Sequence, residues 1–464
     1  PMTYGMSVVD GLSLLVALYV GGMSGGLISA ILLKIPGTPS SMSTVWDGGP
    51  MADKGEAGKA LGIAILVSFI GTVFGLIAMI LLSPQLARVA LSFTAYEYFA
   101  VALFSLTIIA SLAGKDLING LLSGLLGILL SMIGVTPIDA LIRFNFGTHS
   151  LDGGLQTVPM LIGLFAIADI FAYGFKRREE QMVPQNFKMR GFGIGFAELL
   201  KQAFNIVRAC IVGVFVGILP GIGGNTAGIF AYTLAKDSSK HPEEFGTGCV
   251  SGLVASETAN NAVIGGSMIP MLVLGVPGNT VAAILLGGMT IKGITPGPLI
   301  FTKSGEIVYA MYMALLVAAV AMLIFEFFGI RVFVRLLDIP KYILFPIILA
   351  LCTVGCFGAN NKAFDITMMF IIGLGTYILK KVNIPTSPLI IGFILGSMFE
   401  ENFRRVLTLS KGDPASFLAH PIACVFMLLA VFSLAQAILK NVKMKKAKVA
   451  VESGAEEGDE DEQL

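Results

Sequence analysis

Long apolar runs recur along the whole chain, separated by short polar stretches. Most are close to 20 residues long, enough for an α-helix to cross about 30 Å of hydrocarbon. The runs lie at 11–35, 60–83, 97–113, 116–135, 157–175, 205–222, 307–330, 341–359, 364–380, 386–400 and 415–439. Between 246 and 300, Gly, Pro, Asn and Thr interrupt the apolar residues, as in helices that stop inside a membrane or re-enter it. The pattern predicts an all-α polytopic membrane protein with about 11–13 membrane segments, some of them broken or re-entrant.

Composition strengthens this prediction and excludes several classes of protein. Only 13% of the 464 residues are charged and 55% are hydrophobic, whereas soluble domains carry about 25% charged residues. The basic residues are scattered and the aromatic residues lie in apolar runs, so nucleic acid is not an expected partner. The three histidines are far apart in sequence, and no metalloprotease or nucleophile motif is present. We therefore expect no catalytic residues and no cofactor other than a coupling ion.

Two polar segments divide the chain. A linker is predicted at 176–204, and a basic and then acidic disordered tail at 440–464. Both carry clusters of Lys or Arg, which favour the cytoplasmic side of a membrane. They leave a first transmembrane repeat at 1–175 and a second repeat with the C-terminal helices at 205–439.

The two halves share one local plan, which predicts that they are repeats, inverted with respect to each other. Gly25-Gly26 precedes Pro36-Gly37-Thr38 as Gly265-Gly266 precedes Pro277-Gly278-Asn279, and a Lys-Gly pair follows each segment. Repeated halves with interrupted helices at matching positions are typical of secondary transporters and point to the substrate site. We expect both the paired glycines and the Pro-Gly dipeptides to mark helix breaks.

A third glycine-rich loop, Pro220 to Gly224, lies 57 residues before Pro277. The same offset from Pro36 falls before residue 1, so the first repeat is expected to be truncated at its N-terminus. The loop has no following Lys-Ser/Thr and so is not a nucleotide-binding loop. Its N–H groups could face a carboxylate, although tight helix packing is an equal alternative.

Broken helices leave backbone groups unpaired, and these can bind an anion at a half-helix N-terminus. A kink satisfied by neighbouring helices is the alternative at each break. The predicted substrate-binding residues are Pro36, Gly37, Thr38, Pro39, Ser40, Ser41, Pro220, Gly221, Gly223, Gly224, Pro277, Gly278, Asn279 and Thr280.

A polar segment beside an apolar run supplies candidates for ion coupling. Carboxylates and amides in such a position usually face a cavity or an ion path. The candidates are Ser256, Glu257, Thr258, Asn260 and Asn261, with Na⁺ at Asn260 and Asn261 as the metal to consider. Glu257 could also take up a proton, and a helix cap at the water interface is the alternative for the whole segment. Lys34, late in an apolar run, either pairs with a substrate carboxylate or extends to the interface.

Several of these motifs resemble the large membrane subunit of tripartite tricarboxylate transporters. The resemblance rests on residues 34–41, 47–62, 219–224, 256–261, 274–279, 293–298, 401–405 and 410–413. It implies a permease in the bacterial inner membrane that works with a small membrane subunit and a periplasmic solute-binding protein. It further implies uptake of citrate-like tri- or dicarboxylates, driven by a Na⁺ or H⁺ gradient and not by ATP.

The resulting hypothesis places Thr38, Ser40 and Ser41 opposite Asn279 and Thr280 near mid-membrane, with alternating access between two bundles. Asn260 and Asn261 would coordinate the driving cation. An uncoupled carboxylate channel and an intramembrane enzyme using Glu257 or a histidine are the rival interpretations.

Overall fold

The computed structural model describes residues 2–3, 5–34, 36–112, 117–174, 191–221, 223–337 and 341–439. The tail predicted at 440–464 and most of the linker predicted at 176–204 lie outside the described residues. Those that are described are overwhelmingly helical, which confirms the all-α prediction.

The helices follow the apolar runs of the sequence. They are α1 (Val8–Ser24), α2 (Gly26–Leu32), α3 (Met42–Asp53), α4 (Ala57–Ala90), α5 (Ala95–Leu112), α6 (Leu117–Ser131), α7 (Thr157–Ile162), α8 (Ala168–Gly174), α9 (Phe196–Lys201), α10 (Ala203–Ile218), α11 (Gly223–Asp237), α12 (Val250–Leu274), α13 (Thr280–Ile291), α14 (Ile300–Lys303), α15 (Gly305–Leu337), α16 (Lys341–Asn360), α17 (Ala363–Lys381), α18 (Thr386–Ser410) and α19 (Pro421–Leu439). Short 3₁₀ turns lie at Pro39–Ser41, His149–Leu151, Pro242–Glu244 and Pro414–Ala419, and a π turn at Gly163–Ile167 joins α7 to α8. Two short strands, β1 (Gly134–Val135) and β2 (Ile142–Arg143), pair antiparallel.

Seven segments among the described residues are long and apolar enough to cross a membrane. They are Val8–Leu32, Ala57–Ala90, Thr157–Gly174, Gly305–Ile330, Tyr342–Asn360, Ala363–Lys381 and Pro421–Leu439. Shorter apolar helices lie at Ala95–Ile108, Leu117–Ser131, Ala203–Ile218 and Thr280–Ile291. These segments agree with a multi-pass membrane protein that contains interrupted helices.

The chain packs as two compact units, one of Pro1–Ser92 with Gln156–Tyr377 and one of Phe93–Leu155 with Ile378–Leu464. The sequence divided the chain differently, into consecutive halves. That division concerns repetition rather than packing, and it stays a prediction.

Helix α12 is the centre of the first unit. It packs against α1, α3, α4, α10, α11 and α13, and every residue from Gly252 to Val273 is buried. Three neighbouring helices approach it through glycines four residues apart, a spacing that brings two backbones close together. The pairs are Gly71 and Gly75 on α4, Gly213 and Gly217 on α10, and Gly224 and Gly228 on α11.

The two Pro-Gly segments have matching local structures. Each leads into a helix of 12 residues, α3 or α13, and each helix is followed by Lys-Gly with the glycine at positive φ, +79° at Gly55 and +74° at Gly293. The expectation that Gly265-Gly266 marks a break is wrong, because both residues lie inside continuous α12. There they allow contact with the backbones of Gly75 and Val214, and the helix ends instead at Gly275, whose φ is +71°.

The second unit is organised around α18, which packs against α5 and α6. Its largely buried polar contact joins Arg143 of β2 to Glu400 of α18, with an Nη1 to Oε1 distance of 2.7 Å. The Arg143 Nε also donates to the carbonyl oxygen of Met132 at 2.8 Å. This arginine therefore ties the strand pair to α6 and α18.

Candidate functional site

The first Pro-Gly segment forms a compact turn between α2 and α3. The Thr38 backbone N–H donates to Ser41 Oγ at 3.2 Å, and the Ser41 hydroxyl donates to the Thr38 carbonyl oxygen at 2.9 Å. A Cβ at Gly37 would lie 3.0 Å from the Cα of Gly26, so the turn can pack against α2 only because both residues lack side chains. Ser40 and Ser41 are buried in this arrangement.

The second Pro-Gly segment is held by Asn279, which caps α13. Its Oδ1 accepts from the Ala282 N–H at 2.8 Å, and its Nδ2 donates to the Tyr19 hydroxyl at 2.5 Å and to Ser267 Oγ at 3.3 Å. The hydroxyl oxygens of Tyr19 and Ser267 lie 2.5 Å apart. One buried amide thus joins α1, α12 and the start of α13.

The third break, between α10 and α11, brings the other two together. A Cβ at Gly224 would lie 3.0 Å from Ser40 Cβ, and a Cβ at Gly223 would lie 3.4 Å from Asn279 Cβ. Gly223, with φ of +72°, starts α11 in a conformation that favours glycine. The N-termini of α3, α11 and α13 therefore meet within a few ångströms.

The polar residues of α12 lie beside this meeting point. Asn260 Nδ2 donates to the Met23 carbonyl oxygen at 3.2 Å. Glu257 accepts from Thr44 and from Ser68 at 3.1 Å, and Asn261 Nδ2 donates to Ser68 Oγ at 2.8 Å. Because these residues lie mid-helix and are buried, the alternative of a helix cap at the water interface is wrong.

Several buried oxygens around α12 have no hydrogen-bond partner among the described residues. They include five neutral atoms, Ser43 Oγ, Ser256 Oγ, Thr258 Oγ1, Asn260 Oδ1 and Asn261 Oδ1, and also the carboxylate oxygen Asp47 Oδ2, which faces Gly252 of α12. Buried polar atoms are almost always paired, so such a group needs an explanation. All five are neutral hard donors, which fit a small cation such as Na⁺.

The motifs that meet here match one family of proteins. The model of the tripartite tricarboxylate transporter TctA family matches residues 1–391. This chain belongs to the TctA family. An Agrobacterium vitis protein described as an uncharacterized 52.8 kDa protein in the TAR-I ttuC' 3' region is 33% identical over 452 residues, which is 97% of this chain and 90% of the relative. An uncharacterized protein in the TAR-II ttuC' 3' region of the same organism is 35% identical over 240 residues, 52% of this chain and 99% of that protein. No solved structure matches the chain.

Not every predicted site residue of this TctA-family protein faces the meeting point of the three helices. Gly37 and Pro39 are exposed, whereas Pro220, Pro277 and Gly278 are buried and shape the loops. A Cβ at Gly278 would lie 2.7 Å from Ser267 Cα, so this glycine allows α12 to approach the loop.

Lys34 also lies away from these contacts. Its half-exposed ammonium pairs with Asp53 at 2.6 Å, which leaves no support for a substrate contact by this residue.

The histidines give no support to the rival enzyme. His241 is exposed and pairs with Glu243 at 3.2 Å; a backbone N–H and this histidine hold the pKa of Glu243 below its usual value. His149 and His420 lie in the other unit, where they pair with Asp152 and Glu97.

Five polar residues of the TctA-family chain were not predicted from sequence as part of the site, although contacts place them there or beside it. They are Tyr19, Thr44, Asp47, Ser68 and Glu326. Asp47 is fully buried, and its Oδ1 accepts from the N–H groups of Gly246, Gly248 and Cys249 at 2.9, 2.9 and 2.7 Å. Glu326 was detectable as a lone carboxyl in an apolar run. The others carry no signal of their own, because their partners lie about 190 residues or more away in the chain.

Proposed function

We propose that this chain is the permease of a secondary transporter that takes up citrate-like tri- or dicarboxylates across the bacterial inner membrane. Membership of the TctA family makes it the large subunit of a tripartite tricarboxylate-type transporter. The proposal adds delivery by a periplasmic binding protein, help from a small membrane subunit, and coupling to Na⁺ or H⁺.

The observation that carries the proposal is the meeting of three helix N-termini at one buried, neutral polar site. The first N–H groups of a helix have no partner within it, and a helix N-terminus carries roughly half a positive charge. None of the described residues that form the site is cationic, so an anion would be held by backbone dipoles and by the Ser40 hydroxyl. A carboxylate is the anion that this set of donors suits and that the family name indicates.

The unpaired oxygens of Ser43, Ser256 and Asn260 support a cation beside the anion. The Ser43 hydroxyl and the backbone carbonyl oxygen of Ser256 both face Gly228 of α11, and Asn260 Oδ1 faces Gly224 one turn earlier. A Na⁺ ion at these oxygens would neutralise part of the substrate charge and so link the two binding events. Asn261 would position Glu257 and Ser68 rather than bind substrate.

Uptake of radiolabelled citrate into proteoliposomes that contain the chain and both partner proteins tests the proposal. Gly224→Ala should abolish most uptake because a methyl group would fill the space between Met23, Ser40 and Asn260. Gly22→Ala is the matched control, since nothing lies within 4 Å of a Cβ there. Asn279→Asp keeps the helix cap but adds negative charge, and it should raise the KM for citrate by at least about tenfold, or roughly 1.4 kcal/mol.

Three results would contradict the proposal. Normal uptake by both site variants would show that these residues do not form the substrate site. Citrate flux that ignores imposed Na⁺ and pH gradients would indicate a channel instead. Chemical turnover of citrate by the purified chain would support the rival interpretation of an intramembrane enzyme.

A further inference from the structure

Glu326 is a further buried carboxyl of the first unit, in addition to Asp47 and Glu257. It lies on α15 within the apolar stretch 322–330 and is only 6% exposed. Ser24 Oγ donates to its Oε1 at 2.5 Å, while Oε2 has no hydrogen-bond partner among the described residues. A carboxyl with one unpaired oxygen in such surroundings is costly as an anion and much less costly as a neutral acid.

The neighbours of Glu326 do not offset that cost. None of the ion pairs among the described residues involves Glu326 or Glu257, the buried carboxyl of α12. The titratable groups on the other helices packed against α15 are Asp10 and Tyr19 on α1, Lys59 and Arg88 on α4, and Lys303 on α14. A bound proton is therefore the simplest way to neutralise this carboxyl.

Two consecutive residues connect Glu326 to the proposed substrate site. Met23 accepts from Asn260 through its carbonyl oxygen and contacts the hydroxyl of Ser40 through its sulfur at 3.7 Å. Ser24, the next residue, donates to Glu326. Any displacement of Ser40, Gly224 or Asn260 on substrate binding acts on the same peptide that positions the hydroxyl facing Glu326.

From this geometry we infer that Glu326 is a proton-binding site of the transport cycle, an inference that rests on the proposed function. In the described state the carboxyl holds a proton. When the end of α1 moves with the substrate site and water reaches the carboxyl, the O–H bond breaks and the proton passes to water. The carboxylate that remains is stabilised by the Ser24 hydroxyl. It takes up another proton from water on the opposite side of the membrane.

Two transport assays on one variant separate this role from substrate binding. Glu326→Gln mimics the protonated acid permanently. It should reduce citrate uptake driven by an imposed pH gradient at least about tenfold, yet keep exchange of internal for external citrate within about twofold of wild type, because exchange needs no proton release. Glu306→Gln, an exposed residue on the same helix, is the matched control and should behave as wild type in both assays.

A second variant leaves the carboxyl in place. Ser24→Ala removes the hydrogen bond that stabilises the carboxylate, so the proton should be released only at higher pH, and the pH profile of gradient-driven uptake should move upward. Infrared spectra should show a protonated carboxyl band in wild type that is smaller in Glu326→Gln.

Full gradient-driven uptake by Glu326→Gln, or an unchanged pH profile in Ser24→Ala, would overturn the inference. Equal loss of uptake and exchange in Glu326→Gln would also overturn it, since that result indicates a structural role. Wild-type protein that shows neither uptake nor exchange would instead refute the proposed function.

Discussion

The contact between α4 and α12 allows a test in which one substitution gives opposite results at two positions. A Cβ at Gly75 would lie 2.7 Å from the Ala262 carbonyl oxygen and 3.2 Å from the Gly265 nitrogen, both backbone atoms of α12. Backbone atoms cannot rotate away as a side chain can, so Gly75→Ala must push the two helices apart. Overpacking of this kind costs about 1–3 kcal/mol.

Gly21→Ala is the matched substitution on α1, where a new Cβ meets nothing within 4 Å. Replacing a helical glycine by alanine gains about 1 kcal/mol of helix propensity at both positions. The gain cancels when the variants are compared, so the difference between them isolates the packing cost of about 1–3 kcal/mol.

Thermal unfolding of the detergent-solubilised variants gives the measurement. Gly21→Ala should have a higher unfolding midpoint than wild type, whereas Gly75→Ala should have a midpoint at or below that of wild type and so below that of Gly21→Ala. Equal midpoints for the two variants would refute the close contact between α4 and α12. The Gly75 variant should also lose uptake, because α12 carries Glu257 and Asn260.

Three further substitutions have distinct expected outcomes in the same unfolding assay. Asp47→Ala removes the shared acceptor of three N–H groups, of which those of Gly248 and Cys249 are partly buried, and should destabilise the protein by about 1–3 kcal/mol; an unchanged midpoint would contradict that. Arg143→Ala removes the nearer partner of the largely buried Glu400, which keeps Arg404 at 3.7 Å, and should cost about 1.5–3 kcal/mol, whereas Arg405→Ala breaks an exposed pair four residues apart and should cost no more than about 0.5 kcal/mol. Lys34→Ala should change stability by about 1 kcal/mol at most and leave citrate uptake intact, and a large loss of uptake would restore a substrate role for this lysine.

Much of the helical architecture could be predicted from sequence because hydrophobic length is a local property. The break at Pro277 was equally local, since proline removes a backbone donor and the glycine that precedes the break, Gly275, adopts positive φ. The interior glycines were harder. Gly265 looks like a breaker in sequence, but the backbone of Gly75 packs against it, and only the fold shows that its role is close approach.

The candidate site was predicted only in part, because its contacts join distant segments. Asn279 and Asn260 were predicted as polar residues beside helix breaks, yet their partners Tyr19 and Met23 are 260 and 237 residues away. The segment 256–261 has the composition of a cap, and it is helical here because α4, α10 and α11 enclose it. Tertiary packing overrides local preference at such positions.

The buried carboxylate of Asp47 also bears on which parts of the protein can move. It belongs to α3, which continues directly from the first Pro-Gly segment, and its three accepted hydrogen bonds hold the loop that starts α12. Sliding α3 along α12 would strand a charge in a place that water does not reach. These bonds tie α3 to the start of the central helix. A conformational change in this unit has to use other joints, and Gly275 and the glycine loop before α11 are the places where the backbone is built to turn.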